Sequence, residues 1–379
     1  MELIAFALGA LLFSLVVWDL FETIVVPRPS PGRFRLGRYV VRGSWRLIRL
    51  LGRRGGKTHD TLLGLFAPAA TLGLLATWLA ALVVAIGLVL FALRDQLYPV
   101  PHDLGTTIYY AATSILTLGS GEIVANGAAA RAVVVVAAVS GLGVVALVVT
   151  FLFSLYGSYQ RREVQVVTLQ AAAGAPPSAV QLLETYARLD LTGRLPGLFV
   201  EWERWAAEVL DTHVAYPLLG FFRSSHDNLS WISALGTVLD AASLVLTTTS
   251  NVPRGEAELF RRVGSHLVED ITNLGFRTGL KPDGGTLAAE SGVDRAAFDE
   301  AWGRLRAAGY ELAPPDESWQ AFEAARTVYA GRLEAMAGYW ATPTNSWLDS
   351  AAVPRSAAHT DEPATEPVSE PESDPQPGS

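Results

Sequence analysis

The sequence predicts an all-α membrane protein: three transmembrane helices, a re-entrant pore helix and filter loop between the last two, and a helical cytoplasmic domain. Three observations predict it. The 379-residue chain is 50% hydrophobic and only 17% charged, against about 25% charged in an average soluble protein. Two stretches, 61–93 and 132–160, carry no formal charge, and each exceeds the roughly 20 apolar residues that span a hydrocarbon core. The remainder shows helical periodicity with few alternating strand patterns. The absence of cysteine excludes disulfides, thiolate metal sites and cysteine nucleophiles. A net charge of -8 argues against a dedicated nucleic-acid binder.

The first helix covers 3–26. It is apolar to Trp18 and then carries Asp19 and Glu22. The only early charge is Glu2, so a basic signal-peptide n-region is lacking and the segment reads as a retained helix. Asp19 and Glu22 lie one helical turn apart near its far end, where an ion pair with the following basic segment is the simplest account. Residues 27–60 hold ten Arg and Lys against one acid, while 94–131 hold two basic residues and three acids. The positive-inside rule therefore puts 27–60 in the cytoplasm, the N-terminus and the 94–131 loop outside, and everything after Arg161 and Arg162 inside. Within 27–60, arginines interleave with Phe34, Leu36, Val40, Trp45, Ile48 and Leu51. That pattern suits either a plain orientation signal or an amphipathic helix lying on anionic headgroups of the bilayer.

Between the two long spans, 103–122 reads DLGTTIYYAATSILTLGSGE. Residues 104–115 are too few to cross a bilayer at about 1.5 Å per residue, and Asp103 is placed to cap the helix they form. Irregular backbone at membrane depth is tolerated only where it is buried or lines water. A half-helix followed by Thr117, Leu118, Gly119, Ser120 and Gly121 suits cation passage, because backbone carbonyls aimed at one axis replace an ion's hydration shell. Gly119 and Gly121 supply the unusual dihedrals, the Thr117 hydroxyl an added oxygen, and the half-helix a negative C-terminal dipole.

This arrangement of helix, short helix, T-x-G-x-G-acid and helix resembles the pore module of potassium channels, whose filter usually reads T-V-G-Y-G-D. The resemblance covers roughly 63–157. It implies that residues 117–121 bind permeating potassium ions, that Glu122 holds the outer end of the filter, and that Tyr109, Tyr110 and Thr113 on the pore helix support it. One loop per chain cannot surround an ion, so the implied fourfold filter requires a homotetramer. Gly141 and Gly143 in the last helix are candidates for a gate hinge, or for close packing by small residues. Ser120 replaces the filter tyrosine and Glu122 the aspartate, which bears on selectivity more than on fold. The segment WDLFETIVVPRP, 18–29, more faintly resembles the start of some bacterial ion-channel-family proteins. Nonselective cation conduction, or a non-conducting membrane scaffold or sensor, stands as the alternative. No arginine ladder of a voltage sensor is present.

Residues 161–350 form the helical domain, with a capping box at Ser178 and Gln181. Helical patterns cover 197–214, 230–246, 257–275, 294–309 and 317–340. The run 229–250 is apolar enough to raise a fourth span, but Asp240 in its middle favours a buried core helix. No strand followed by G-x-G-x-x-G, no Walker loop and no catalytic motif occurs, so no enzyme activity and no cofactor beyond permeating ions is expected. His213, His226 and His266 are too scattered for a metal site. The ligand or partner of this domain is left open. Residues 351–379, rich in proline and acids, read as a disordered tail.

Overall fold

A computed structural model describes residues 2–26, 36–51, 57–224, 229–277, 292–342 and 348. The acidic tail at 351–379, His226 and residues 278–291 lie outside the described residues. Among the described residues, three helices are long and apolar enough to cross a membrane: α1 (Glu2–Leu20), which continues as a π-helical turn at Phe21–Val25, α3 (Lys57–Ala92) and α5 (Ala128–Ala173). Between α1 and α3 lies α2 (Leu36–Leu51), and between α3 and α5 lies the short α4 (Leu104–Ile115).

Two cores divide the molecule. One joins Val16 and Leu20 of α1, Leu74 to Leu90 of α3, Tyr110 to Ile115 of α4, and Ala130 to Val144 of α5. The other joins Leu63 to Ala70 of α3 and Phe151 to Ala173 of α5 to the C-terminal helices. Both long helices therefore belong to both cores, α3 running from the second into the first and α5 from the first into the second. Helix α5 is unbroken through residue 160 and ends only at Gly174, whose φ of 83° suits glycine. Helix α1 runs antiparallel to α3, fixed at one end by Arg94 donating to Glu2 at 3.0 Å. Near the other end the Trp78 indole donates to Asp19 at 2.7 Å. Asp19 and Glu22 are both buried, and Asp19 thus takes its hydrogen bond from α3.

Of the apolar residues expected on α2, Trp45 and Ile48 pack on protein, while Phe34 and the side chains of Leu36, Val40 and Leu51 lie outside the described residues. Trp45 is buried against Phe66 of α3, Phe221 and Tyr339, and Val41 and Ile48 pack on the same core. Spacings of four and three residues put these side chains on one face, and protein rather than lipid covers it. Arg162 likewise departs from a simple topological signal. It is buried, donating to Glu163 Oε1, Leu219 O and Phe222 O, with His213 Nε2 at 3.1 Å.

The second core is built from α6 (Ala179–Arg188), α7 (Leu195–Ala215), α8 (Trp231–Thr247), α9 (Gly255–Arg277), α10 (Arg295–Ala307), α11 (Pro315–Thr327) and α12 (Ala330–Tyr339). Helix α8 is its centre, buried on all sides from Trp231 to Val245. Asp240 is not in lipid but pairs with Arg326 at 3.0 Å and accepts from Tyr329 at 2.6 Å. Ser178 accepts from the Gln181 amide, one half of the expected box, while its own amide bonds back to Ala173. The pattern at 317–340 is not one helix. It breaks at Val328 and Tyr329 without glycine or proline, and the break delivers the buried Tyr329 hydroxyl to Asp240 and Ser243.

His213 carries a testable consequence. Its Nδ1 lies 2.8 Å from the Val209 carbonyl, and burial, with the Arg162 guanidinium beside it, lowers its pKa to about 3. The unfolded chain takes up a proton below the ordinary histidine value of about 6.5, and the folded chain does so only near 3. Stability is thus lost as pH falls through that window, by about 1.4 kcal/mol per unit from this group. Thermal unfolding of the wild type and His213→Gln at pH 7, 5 and 4 should show the wild type losing more.

Candidate functional site

The site is the connection between α3 and α5. After α3 the chain forms β1 (Leu97–Tyr98), which pairs antiparallel with β2 (Val124–Ala125), Leu97 opposite Ala125. Gln96 ties this ribbon to the start of α5, its side chain accepting from the Ala130 amide and its carbonyl from Asn126. Between the strands, α4 descends and the loop at 116–123 returns. Asp103 caps α4 as its sequence position requires, accepting from the Thr106 amide at 2.8 Å and the Thr106 hydroxyl at 2.7 Å. Those two bonds hold its carboxyl below the usual range.

Helix α4 packs between its neighbours through two glycines. A Cβ on Gly87 of α3 would meet Ile108 at 2.8 Å, and one on Gly141 of α5 would meet the Ile115 carbonyl oxygen at 1.9 Å. Gly141 is thus the seat for the last residue of α4. It lies about 20 Å along α5 from Ala128, and α4 is itself about 18 Å long, so α4 ends about one helical turn before Val144, the last buried residue that α5 gives the first core. Gly143 has nothing within 4 Å of its Cβ position, and α5 is helical through both glycines.

The end of α4 is closed by a Schellman motif. The Leu118 amide donates to the Thr113 carbonyl at 2.8 Å and the Thr117 amide to Ser114 at 3.2 Å. Thr117 occupies the left-handed position, with φ of 53°. That position usually takes glycine, and a β-branched residue there is an outlier. Sequence reasoning missed this strain because threonine gives no sign of it. Farther along, φ is 60° at Gly119 and 74° at Gly121, and it is not positive at Leu118 or Ser120 between them.

The supporting residues divide. Tyr110 and Thr113 are buried, and the Thr113 hydroxyl donates to the Tyr110 carbonyl within α4, so it is the Thr113 carbonyl that grips the loop. Tyr109 is half exposed. Residues 116–122 are exposed in the single chain, Leu118 at 68%. Glu122 makes no hydrogen bond or ion pair among the described residues. No group of His, Cys, Asp and Glu suited to a metal ion occurs among the described residues.

No curated protein and no solved structure matches the chain. A family model does match, over residues 77–157, from the part of α3 that packs on α1 and α4, through the loop, to the point where α5 enters the second core. That family is described as ion channel, and the match falls on the stretch that holds the candidate site, in a chain that has, among the described residues, three helices long and apolar enough to cross a membrane.

Proposed function

We propose that the chain is a tetrameric cation channel, with potassium as its ion, whose filter is formed by Thr117, Leu118, Gly119, Ser120 and Gly121 from each copy. The observation that carries this reading is the alternation of φ sign along the loop, positive at 117, 119 and 121. Successive residues of an ordinary strand point to opposite faces. Reversing φ at every second residue turns successive peptide planes the same way, so the carbonyls share one side, as an ion's dehydrating ligands must. The exposure of 116–122, with Leu118 open to solvent, supports burial of this loop by other copies around an axis. The strain at Thr117 supports a role for its hydroxyl, since left-handed non-glycine residues cost about 1–3 kcal/mol and cluster at functional sites.

In this reading α4 is a re-entrant pore helix seated on Gly141, α5 lines the inner cavity, and the Glu2–Arg94 pair supports placing the N-terminus on the same side as the 94–131 loop. The basic residues of 27–60 then put the helical domain in the cytoplasm. One observation favours reduced selectivity as a second reading. Ser120 stands where the resembling channels have a bracing tyrosine, and it makes no bond to α4.

Thr117→Gly tests the assignment. It removes the strain and the hydroxyl together, so thermal stability should hold or rise by about 1 kcal/mol, while potassium flux into proteoliposomes falls and sodium exclusion weakens. Unchanged flux and selectivity would remove Thr117 from the ion path.

A further inference from the structure

We propose that the segment 216–222 is a strut that couples α3 to α5 where both leave the first core, so that the helical domain sets the spacing of the two pore-module helices. This rests on the conduction reading above for its effect on flux, and on packing alone for the coupling itself. The segment contains a 3-10 turn, Pro217–Phe221, between α7 and α8. Its two adjacent aromatic rings point to different helices. Phe221 packs on Phe66 of α3 at 5.3 Å between ring centroids and on Trp45 of α2 at 5.0 Å. Phe222 packs on Tyr156 and Tyr159 of α5 at 5.7 and 5.4 Å, and Tyr216 packs on Phe151 of the same helix at 5.7 Å. The backbone is gripped from α5 as well. Arg162 donates to Leu219 O at 3.0 Å and Phe222 O at 2.7 Å, and Tyr159 donates to Arg223 O at 3.2 Å.

The domain reaches the strut from its other side. Trp340, at the end of α12, lies on Gly220 so closely that a Cβ there would meet its ring at 2.5 Å, and Trp340 in turn packs on Trp231 at the start of α8. A displacement of α8 or α12 therefore moves both joints at once. The junction is also incompletely satisfied. The indole nitrogens of Trp45, Trp231 and Trp340 and Glu163 Oε2 are buried without hydrogen bonds among the described residues.

The test trims one joint at a time in the full-length protein reconstituted in liposomes. Phe221→Leu loosens the α3 joint and Phe222→Leu the α5 joint. For each variant the proposal expects amide exchange to rise at least tenfold in both 63–70 and 151–160, exchange in 104–115 to stay at the wild-type rate, and potassium flux to change at least threefold. A rise confined to the helix whose own joint was trimmed would overturn the coupling. A shared rise with unaltered flux would overturn its transmission to the pore. If the wild type itself passes no ions, the conduction reading fails while the exchange pattern still decides the coupling. Trp45→Phe, a milder change on the α3 side, repeats the measurement should either leucine variant fail to fold.

Discussion

Gly119→Ala is expected to reduce ion flux by about a hundredfold or more while leaving the protein folded. Space is not the obstacle, because nothing lies within 4 Å of the Cβ position in the single chain. The obstacle is the backbone: φ is 60°, and an L-residue pays about 1–2 kcal/mol to stay there. In the proposed tetramer four copies would carry that cost four times, and at about 1.4 kcal/mol per factor of ten the sum is ample. Alanine escapes by returning φ to negative values, which turns the carbonyl away from the shared side. The loop is exposed and contributes little to either core, so the unfolding midpoint should move by only a few degrees. Ser120→Ala is the control, since φ is not positive there. Flux through proteoliposomes, measured with thermal unfolding on the same preparations, checks both halves.

Gly141→Ala and Gly143→Ala should behave oppositely although the residues are two apart on one helix. At Gly141 the new Cβ would sit 1.9 Å from the Ile115 carbonyl oxygen and 2.8 Å from its carbon. A backbone group has no alternative rotamer, so α4 must lift from α5. Overpacking of this kind costs about 1–3 kcal/mol and sometimes more, and the displacement falls directly on Thr117, two residues past the contact. Flux should be lost and the oligomer weakened. At Gly143 the Cβ position is open, and alanine improves the helix by up to about 1 kcal/mol. If Gly143 serves only as helix surface, flux through Gly143→Ala stays near wild type; a large change there would make it a bending point. Flux and gel-filtration profiles of the two variants in parallel distinguish a seat from a hinge.

The most legible parts of this chain were those fixed by local chemistry. The bounds of α4 and its Asp103 cap follow from a carboxylate three residues before an amide it can reach, and the observed helix is Leu104–Ile115 with that bond made. The two long spans were legible as charge-free runs. What sequence could not convey were choices made by tertiary partners. The apolar stripe of α2 reads the same whether lipid or protein covers it, and only the structure brings Phe66, Phe221 and Tyr339 to Trp45. Arg162 reads as a topological charge beyond a span, because the carbonyls it serves lie some sixty residues away. The break before Ala330 carries no glycine or proline, and the bond it permits, from Tyr329 to Asp240, joins residues far apart in sequence. In the candidate site, Gly119 and Gly121 announced their dihedrals, whereas Thr117 adopts the same handedness against its own preference. Gly141 was visible as a glycine but not as the seat of α4, a contact between residues far apart in sequence.

The most direct test of conduction through the 117–121 loop is the reversal potential of the purified full-length protein in a bilayer, with potassium high on one side and sodium on the other. A potential near the potassium equilibrium value, abolished together with the current in Gly119→Ala, is the predicted result. A clear current that persists unchanged in Gly119→Ala and Gly121→Ala would contradict it, because ions would then be crossing without the carbonyls of this loop.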